Sequence, residues 1–415
     1  MNKICKIRFK GYSEEVRSKL LKQLVKLDGR IGFRGYTKQD IVERSKGVLT
    51  YSPTNILNNK IVNGKNDTYI SQAKYEESPE IMVKKNHILF VKTGSTLGKS
   101  SIVRELTEPA TINPQLIVIK TIHVDSNYLA VYLLTDSIQK QILQAKIGGA
   151  VPTLTETEIG KFVITLPSLP EQYAIGSLFR TLDDLLSSYK DNLANYQSLK
   201  ATMLSKMFPK AGQTVPEIRL DGFEGEWKLY ELKSRAETIT KGTTPKDKSW
   251  QGEVNYIKTE SINRDTGSLV RTASTSLEEH LGYLKRSILK EGDVLFSIVG
   301  TLGVVGIVDK KDLPANTNQQ IAIIRLKRDD DIFMLNFLKS PRIKSFIKSD
   351  STIGAQPSLS LWQIEKIKVS LPSLLEEQQA IGDYFSNLDQ LISSYQEKIT
   401  QLETLKKKLL QDMFI

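Results

Sequence analysis

Two stretches of the chain carry residue types that could act on phosphate or on a base. Gly94 to Ser100 (GSTLGKS) offers the glycines, lysine and serine of a loop whose backbone amides cradle the phosphates of a nucleotide. That chemistry needs four residues between the first glycine and Gly-Lys-Ser. Here three intervene, and Thr93 stands at the required position. A related stretch, Gly300 to Val305, lacks the lysine and the serine. The expectation is a glycine turn that lets backbone approach protein or DNA phosphate, not a nucleotide site. Asn113-Pro114-Gln115-Leu116 has part of the Asn-Pro-Pro-aromatic pattern used to methylate adenine, without its second proline and aromatic. Its counterpart Asn318-Gln319-Gln320-Ile321 has less of it, so both are read as strand starts with no catalytic residue. One cysteine, Cys5, and three histidines exclude a disulfide framework within the chain and argue against zinc, so no metal site is expected.

The basic clusters speak more clearly. The net charge is +11, which favours a polyanionic partner. Arg30, Arg34 and Lys38 surround glycines and Tyr36, and Lys92, Thr93 and Ser95 flank the first glycine turn. Later come Lys241, Thr243, Thr244 and Lys246, then Lys258 and Thr259, then Thr301 in the second glycine turn. Arg and Lys pair with phosphates or guanine edges, and Thr bonds either. These residues are the candidate DNA contacts, with Arg264 and Arg271 as weaker ones.

What must position them is a duplicated scaffold. Displaced by about 205–211 residues, the two halves of the chain align from end to end. ILFVKTGSTLGKSSIV faces VLFSIVGTLGVVGIV, and ATINPQLIVIK faces ANTNQQIAIIR. Residues 39–79 and 246–278 have little in common, so one scaffold carries two different insert surfaces. The β-branched runs ILFVK, QLIVIK, DVLFSIV and QIAIIRL predict strands. Each half closes with Leu-Pro-Ser-Leu and one long amphipathic helix, because proline disfavours helix before it and Glu171, Glu376 and Glu377 suit a first turn. Each helix should run roughly 38 residues, about 57 Å. The apolar steps match between copies and predict an antiparallel pair with a shared core. That core comprises Leu178, Leu182, Leu185, Tyr189, Tyr196 and Leu199 facing Leu388, Leu391, Tyr395, Leu402 and Leu405.

The ordered set of motifs resembles one family. LPSLxEQxAIG leading into each helix, GEWKLYEL, TITKGTTPK, NYIKTESI and GDVLFSIVGTLG are similar to the specificity subunit of Type I restriction–modification systems. The resemblance covers the whole chain. The first half departs from it: Val16 stands where the second half has Trp227, DGRIGFRGYT replaces the Gly-Thr-Thr-Pro turn, and Asn86-His87 replaces Gly292-Asp293. The resemblance implies that each variable domain reads one half of a bipartite DNA sequence, while the helices set the gap and dock two methyltransferase subunits. It further implies a restriction/translocase subunit, with S-adenosylmethionine, ATP and Mg bound by partners and no cofactor in this chain.

The expected architecture is therefore α/β (α+β). A target recognition domain (1–165) precedes a spacer helix (166–210), and a second recognition domain (211–370) precedes a second helix (371–415). The pair of domains would be pseudo-symmetric, on helices of a length suited to half-sites a turn or so apart. No apolar run is long enough for a membrane and the N-terminus is no signal peptide, so a cytoplasmic protein is expected. Three rivals stay open: a stand-alone DNA-binding regulator, an enzyme fused to a DNA reader, and a coiled-coil scaffold.

Overall fold

The structure, a computed structural model, describes residues 7–13, 15–32, 35–147, 151–352 and 356–414. They form two compact units: one of residues up to 189 together with 398 onward, the other of residues 190–397.

The first unit contains β1 (Arg17–Leu20), β2 (Val25–Gly29), β3 (Gly47–Tyr51), β4 (Thr68–Ser71), β5 (Ile88–Val91), β6 (Ser100–Ile102), β7 (Ala110–Ile112), β8 (Leu116–Thr121), α1 (Ser126–Tyr132), α2 (Asp136–Ala145) and β9 (Val163–Leu166). The chain then enters α3 (Leu169–Lys206). The second unit repeats the series as β10 (Lys228–Glu231), β11 (Ala236–Lys241), β12 (Val254–Ile257), β13 (Ser274–Thr275), β14 (Val294–Ser297), β15 (Val305–Ile307), β16 (Ala315–Thr317), β17 (Ile321–Leu326), α4 (Asp331–Lys339), α5 (Pro341–Asp350), β18 (Lys368–Leu371) and α6 (Leu375–Asp412).

The main sheets share one topology, and the first unit adds a hairpin of Ile56–Leu57 and Lys60–Ile61. Antiparallel sheets run β2-β8-β5-β6 and β11-β17-β14-β15, and three-stranded sheets run β4-β3-β7 and β13-β12-β16 with the pairs β3–β7 and β12–β16 parallel. The central strands β5, β8, β14 and β17 each bury at least four successive residues, because they are covered on both faces. Ile88 and Phe90 of β5 face a core shared with α1 and α3, while Leu89 and Val91 face a core shared with β3 and β7. Val294 and Phe296 of β14 likewise enter the helix-side core, and Leu295 the other.

The long helices join this scaffold through the Glu-Gln and Ala-Ile-Gly of their repeated motif. Glu171 is buried and takes Arg8 Nε at 2.9 Å; Glu377 takes Arg219 at 2.8 Å through both carboxylate oxygens, and Trp227 Nε1 at 3.2 Å. Gln172 Oε1 accepts the Asp125 amide at 3.1 Å, and Gln378 Oε1 the Asp330 amide at 3.0 Å. Those two aspartates cap α1 and α4. Gly176 and Gly382 leave room for the capped turns, since a Cβ would lie 2.7 Å from Asp125 Oδ1 and 2.8 Å from Asp330 Oδ1.

The helices run antiparallel within each unit. Lys406 meets Asp183 at 2.5 Å and Phe414 meets Phe179 at 5.8 Å in the first unit. Lys200 meets Asp389 at 2.5 Å, Tyr196 meets Tyr395 at 5.4 Å and Phe208 stacks on Phe385 at 6.0 Å in the second. Leu182 and Leu388 are buried, and Leu178, Tyr189 and Leu402 are half-buried. Four expected core positions are not buried: Leu185 (41% exposed), Leu199 (36%), Leu391 (41%) and Leu405 (45%). Phe179, Leu186, Phe385 and Ile392 are buried instead. Each end of a helix packs on its own sheet core as well as on its partner helix, which rotates the buried face one residue from the predicted stripe.

Candidate nucleic-acid interface

In the second unit three strand ends converge. β11 ends at Lys241, an exposed cation, and the chain turns at Gly242, where a Cβ would lie 2.0 Å from Thr317 O at the end of β16. Thr243 N donates to that carbonyl at 2.9 Å, and Tyr256 Oη of β12 donates to Thr243 O at 2.9 Å. Burial pushes the Tyr256 phenol up, so it stays a neutral donor. Thr244 Oγ1 bonds Gln319 Oε1. The amide of Lys246 donates to Glu279 Oε1 at 2.8 Å, and its ammonium lies 4.9 Å from the Tyr283 ring centre. Beyond β12, Lys258 Nζ lies 3.5 Å from the Trp250 ring centre, and Trp250 sits 5.3 Å from Tyr256. The hydroxyls of Thr243 and Thr259 are buried with no hydrogen-bond partner among the described residues.

The expected residues from Lys241 to Thr259 therefore share one surface. Trp250, Tyr283 and Gln319 belong to it and were not anticipated. The interleaving of Trp250 and Tyr283 with lysines was the signal available in the sequence. Such a surface offers cations for phosphate, amide and hydroxyl groups for base edges, and aromatic faces for stacking. Thr301 is exposed in the β14–β15 turn, where its carbonyl accepts Ser297 Oγ at 2.6 Å. Arg271 is held by Gly252 O at 2.8 Å and Ser274 Oγ, whereas Arg264 is exposed.

The first unit corrects two expectations. Arg30 is not available to DNA: it is 6% exposed, its Nε donates to Ile112 O at 3.1 Å and it lies over the Tyr36 ring. It ties the end of β2 to β7, the work done by Thr243 N in the second unit. Lys92 is held by Glu156 at 2.7 Å, across Gly29. Thr93 is engaged in a β-bridge with Thr153. Lys38 and Ser95 are exposed, Tyr36 is half-buried under Arg30, and Arg34 lies outside the described residues.

Neither early motif does phosphate or methyl chemistry. Gly94 to Ser100 is the turn between β5 and β6, with φ of 110° at Gly94 and 88° at Gly98, and a strand follows it where a phosphate loop needs a helix. Asn113 Oδ1 accepts the Gln115 amide and Asn318 Oδ1 the Gln320 amide, both at 3.0 Å, so each asparagine shapes the turn into a strand. Among the described residues no metal-binding cluster occurs, and no helix is long and apolar enough to cross a membrane.

The family model for the Type I restriction modification DNA specificity domain matches residues 15–195 and again residues 224–404. The chain belongs to that family. A specificity subunit of this family reads DNA sequence for a restriction–modification enzyme, and the two matched spans are the two halves of the repeat. Among relatives, the Type I restriction enzyme MjaVIII specificity subunit of Methanocaldococcus jannaschii is 25% identical over 343 residues, covering 80% of this chain and 79% of its own. The EcoBI specificity subunit of Escherichia coli is 22% identical over 286 residues, covering 64% and 60%. The crystal structure of the Type I S subunit from M. genitalium covers 99% of both chains with a TM-score of 0.61 at 16% identity, a likeness of fold.

Proposed function

We propose that each unit reads one half of a bipartite, gapped DNA target and that α3 and α6 set the gap. The observation that carries this is the duplication itself. Topology, caps and helix anchors are repeated, while the loops on the ends of β2, β3, β11 and β12 differ in sequence and contacts. A scaffold kept twice with two different loop surfaces suits two different half-sites. In the second unit the readers are Lys241, Thr244, Lys246 and Lys258, joined by Trp250, Tyr283 and Gln319, while the buried hydroxyls of Thr243 and Thr259 are not accessible to a base. In the first, Lys38 and the turn after β3 stand in the corresponding places, and Ser95 stands where the second unit has Thr301.

The chain supplies recognition, and partners supply the chemistry: two methyltransferase subunits that modify adenine, with S-adenosylmethionine, and a restriction/translocase subunit, with ATP and Mg. The exposed leucines support two docking positions. Leu185 and Leu405 flank the Asp183–Lys406 pair in one unit, and Leu199 and Leu391 flank Lys200–Asp389 in the other. Acting on chromosomal DNA, the assembly would work in the cytoplasm.

The test is a methylome of cells with and without this gene, by a method that detects N6-methyladenine. Loss of methylation at one gapped motif on deletion is the expected result. An unchanged methylome in cells that express the partner methyltransferase, with the purified chain binding a single target tightly by itself, would support a stand-alone regulator instead.

A further inference from the structure

The second unit holds a 690 Å³ cleft that the recognition surface does not use. Its walls are the last turns of α3, the β14–β15 turn, the loop carrying Arg264 and Asp265, and the facing sides of α4 and α5. Four cations line it: Lys200, Arg264, Lys339 and Lys344. Two are recessed. Lys200 is 7% exposed and donates to Asp389 Oδ1 and to Asp265 O, each at 2.5 Å. Lys339 donates to the same Asp265 carbonyl at 3.0 Å. Two ammonium groups therefore share one carbonyl oxygen. Arg264 and Lys344 are exposed at the rim, and neither has an ion pair among the described residues. Against these four stand the carboxylates of Asp389 and Asp265, so the cleft carries excess positive charge. Leu204, Leu338, Ile347 and Ile392 supply apolar wall.

The scaffold repeats Lys200 as Lys406, which pairs with Asp183 as Lys200 does with Asp389, but it does not need Lys339 and Lys344. At the positions of α1 and α2 that correspond to Lys339 and Lys344, the first unit has Leu134 and Gln139. One cation at the end of α4 is explained by the helix dipole, but four converging on one cleft are not. Crowded, partly desolvated ammonium groups are unfavourable until an anion joins them. Burial, and next the charge of Lys200, push Lys339 down to about 7.

We infer that the cleft is a binding site for a small phosphate-bearing anion, held by Lys200 and Lys339 at its base and by Arg264 and Lys344 at its rim. A free small molecule is favoured over the backbone of duplex DNA, because Lys200 is too recessed for a rod as wide as a duplex to reach. The apolar wall fits a ligand with an organic body behind its phosphate.

The test is calorimetric titration of the full chain with pyrophosphate, with sulfate as a probe of constant charge. One site is expected, and Lys339→Met and Arg264→Ala should each weaken it roughly tenfold or more. Arg264 is a surface residue, so its variant keeps the test valid should Lys339→Met fail to fold. Sulfate affinity should fall between about pH 6 and about pH 8 as Lys339 loses its proton, and Lys339→Met should flatten that profile. The other charged groups at the cleft are Arg264, Lys200, Lys344, Asp265 and Asp389. Absence of binding, or binding that both variants leave unchanged, overturns the inference. So does a result in which only duplex DNA binding responds to Arg264→Ala, since the phosphate would then be the DNA's.

Discussion

At the scale of single residues, the buried charges decide what the fold tolerates. Glu377 is 1% exposed and satisfied by three donors from Arg219 and Trp227. Glu377→Ala should cost about 2–4 kcal/mol, because it strands Arg219 and the indole N–H; urea denaturation measures it. Lys339 is the opposite case. Its folded pKa, about 7, lies below the 10.5 of an unperturbed lysine. The unfolded chain thus binds more protons than the folded one between those values, so this group's penalty is full below about pH 7 and relieved as pH rises. Lys339→Met should therefore stabilise the second unit at pH 6, by roughly 1–2 kcal/mol, and much less at pH 10. A thermal melt at both pH values checks it, and an equal effect at both would contradict the assignment.

At the scale of elements, the docking of α3 and α6 rests on a contact that helix propensity opposes. Replacing a glycine inside a helix by alanine ordinarily stabilises by about 1 kcal/mol. At position 382 a Cβ would lie 2.8 Å from Asp330 Oδ1, the atom that caps α4. Gly382→Ala, and Gly176→Ala in the first unit, should thus reverse the sign and destabilise by about 1–3 kcal/mol, read as a lower Tm. The helices themselves were legible in the sequence, because a proline boundary and an apolar period survive at any tertiary context. Their burial was legible only to within one residue: the period names a stripe, but Phe179 and Phe385, which turn that stripe toward the sheet, depend on a core assembled from distant segments. The strands were legible as unbroken apolar runs, since burial on both faces erases alternation. The interface was half legible. Lys241 to Lys246 and Lys258 form a cluster because β11, β12 and β16 end together, a fact of topology. Arg30 looked like a surface cation because nothing local reveals the Ile112 carbonyl that holds it. Trp250 and Tyr283 stand among lysines in the sequence, but only the fold brings Lys258 over the Trp250 ring.

At the scale of the whole molecule, the chain leaves the first unit along α3 and returns to it by the end of α6. Met207 and Phe208 close the core of the second unit, among Trp227, Phe333, Phe337 and Phe385. Met413 and Phe414 close the core of the first, against Tyr128, Tyr132 and Phe179. The last residues of the sequence are thus structural members of the unit built from its first residues. Truncating a buried phenylalanine costs about 3–5 kcal/mol, so Phe414→Ala should loosen the first unit and leave the second intact. Thermal unfolding should then split, with one transition lowered and one retained. If each unit reads one half-site, methylation directed by Phe414→Ala protein should lose discrimination in one half of the target only. That half should be the one that changes when residues before Leu166 are exchanged for those of a relative, and not the one that responds to Lys258→Ala. Equal loss in both halves, with a single lowered transition, would mean that the units unfold and read DNA as one body. Separate losses would place the determinant of one half-site's fidelity at the far end of the chain from its readers.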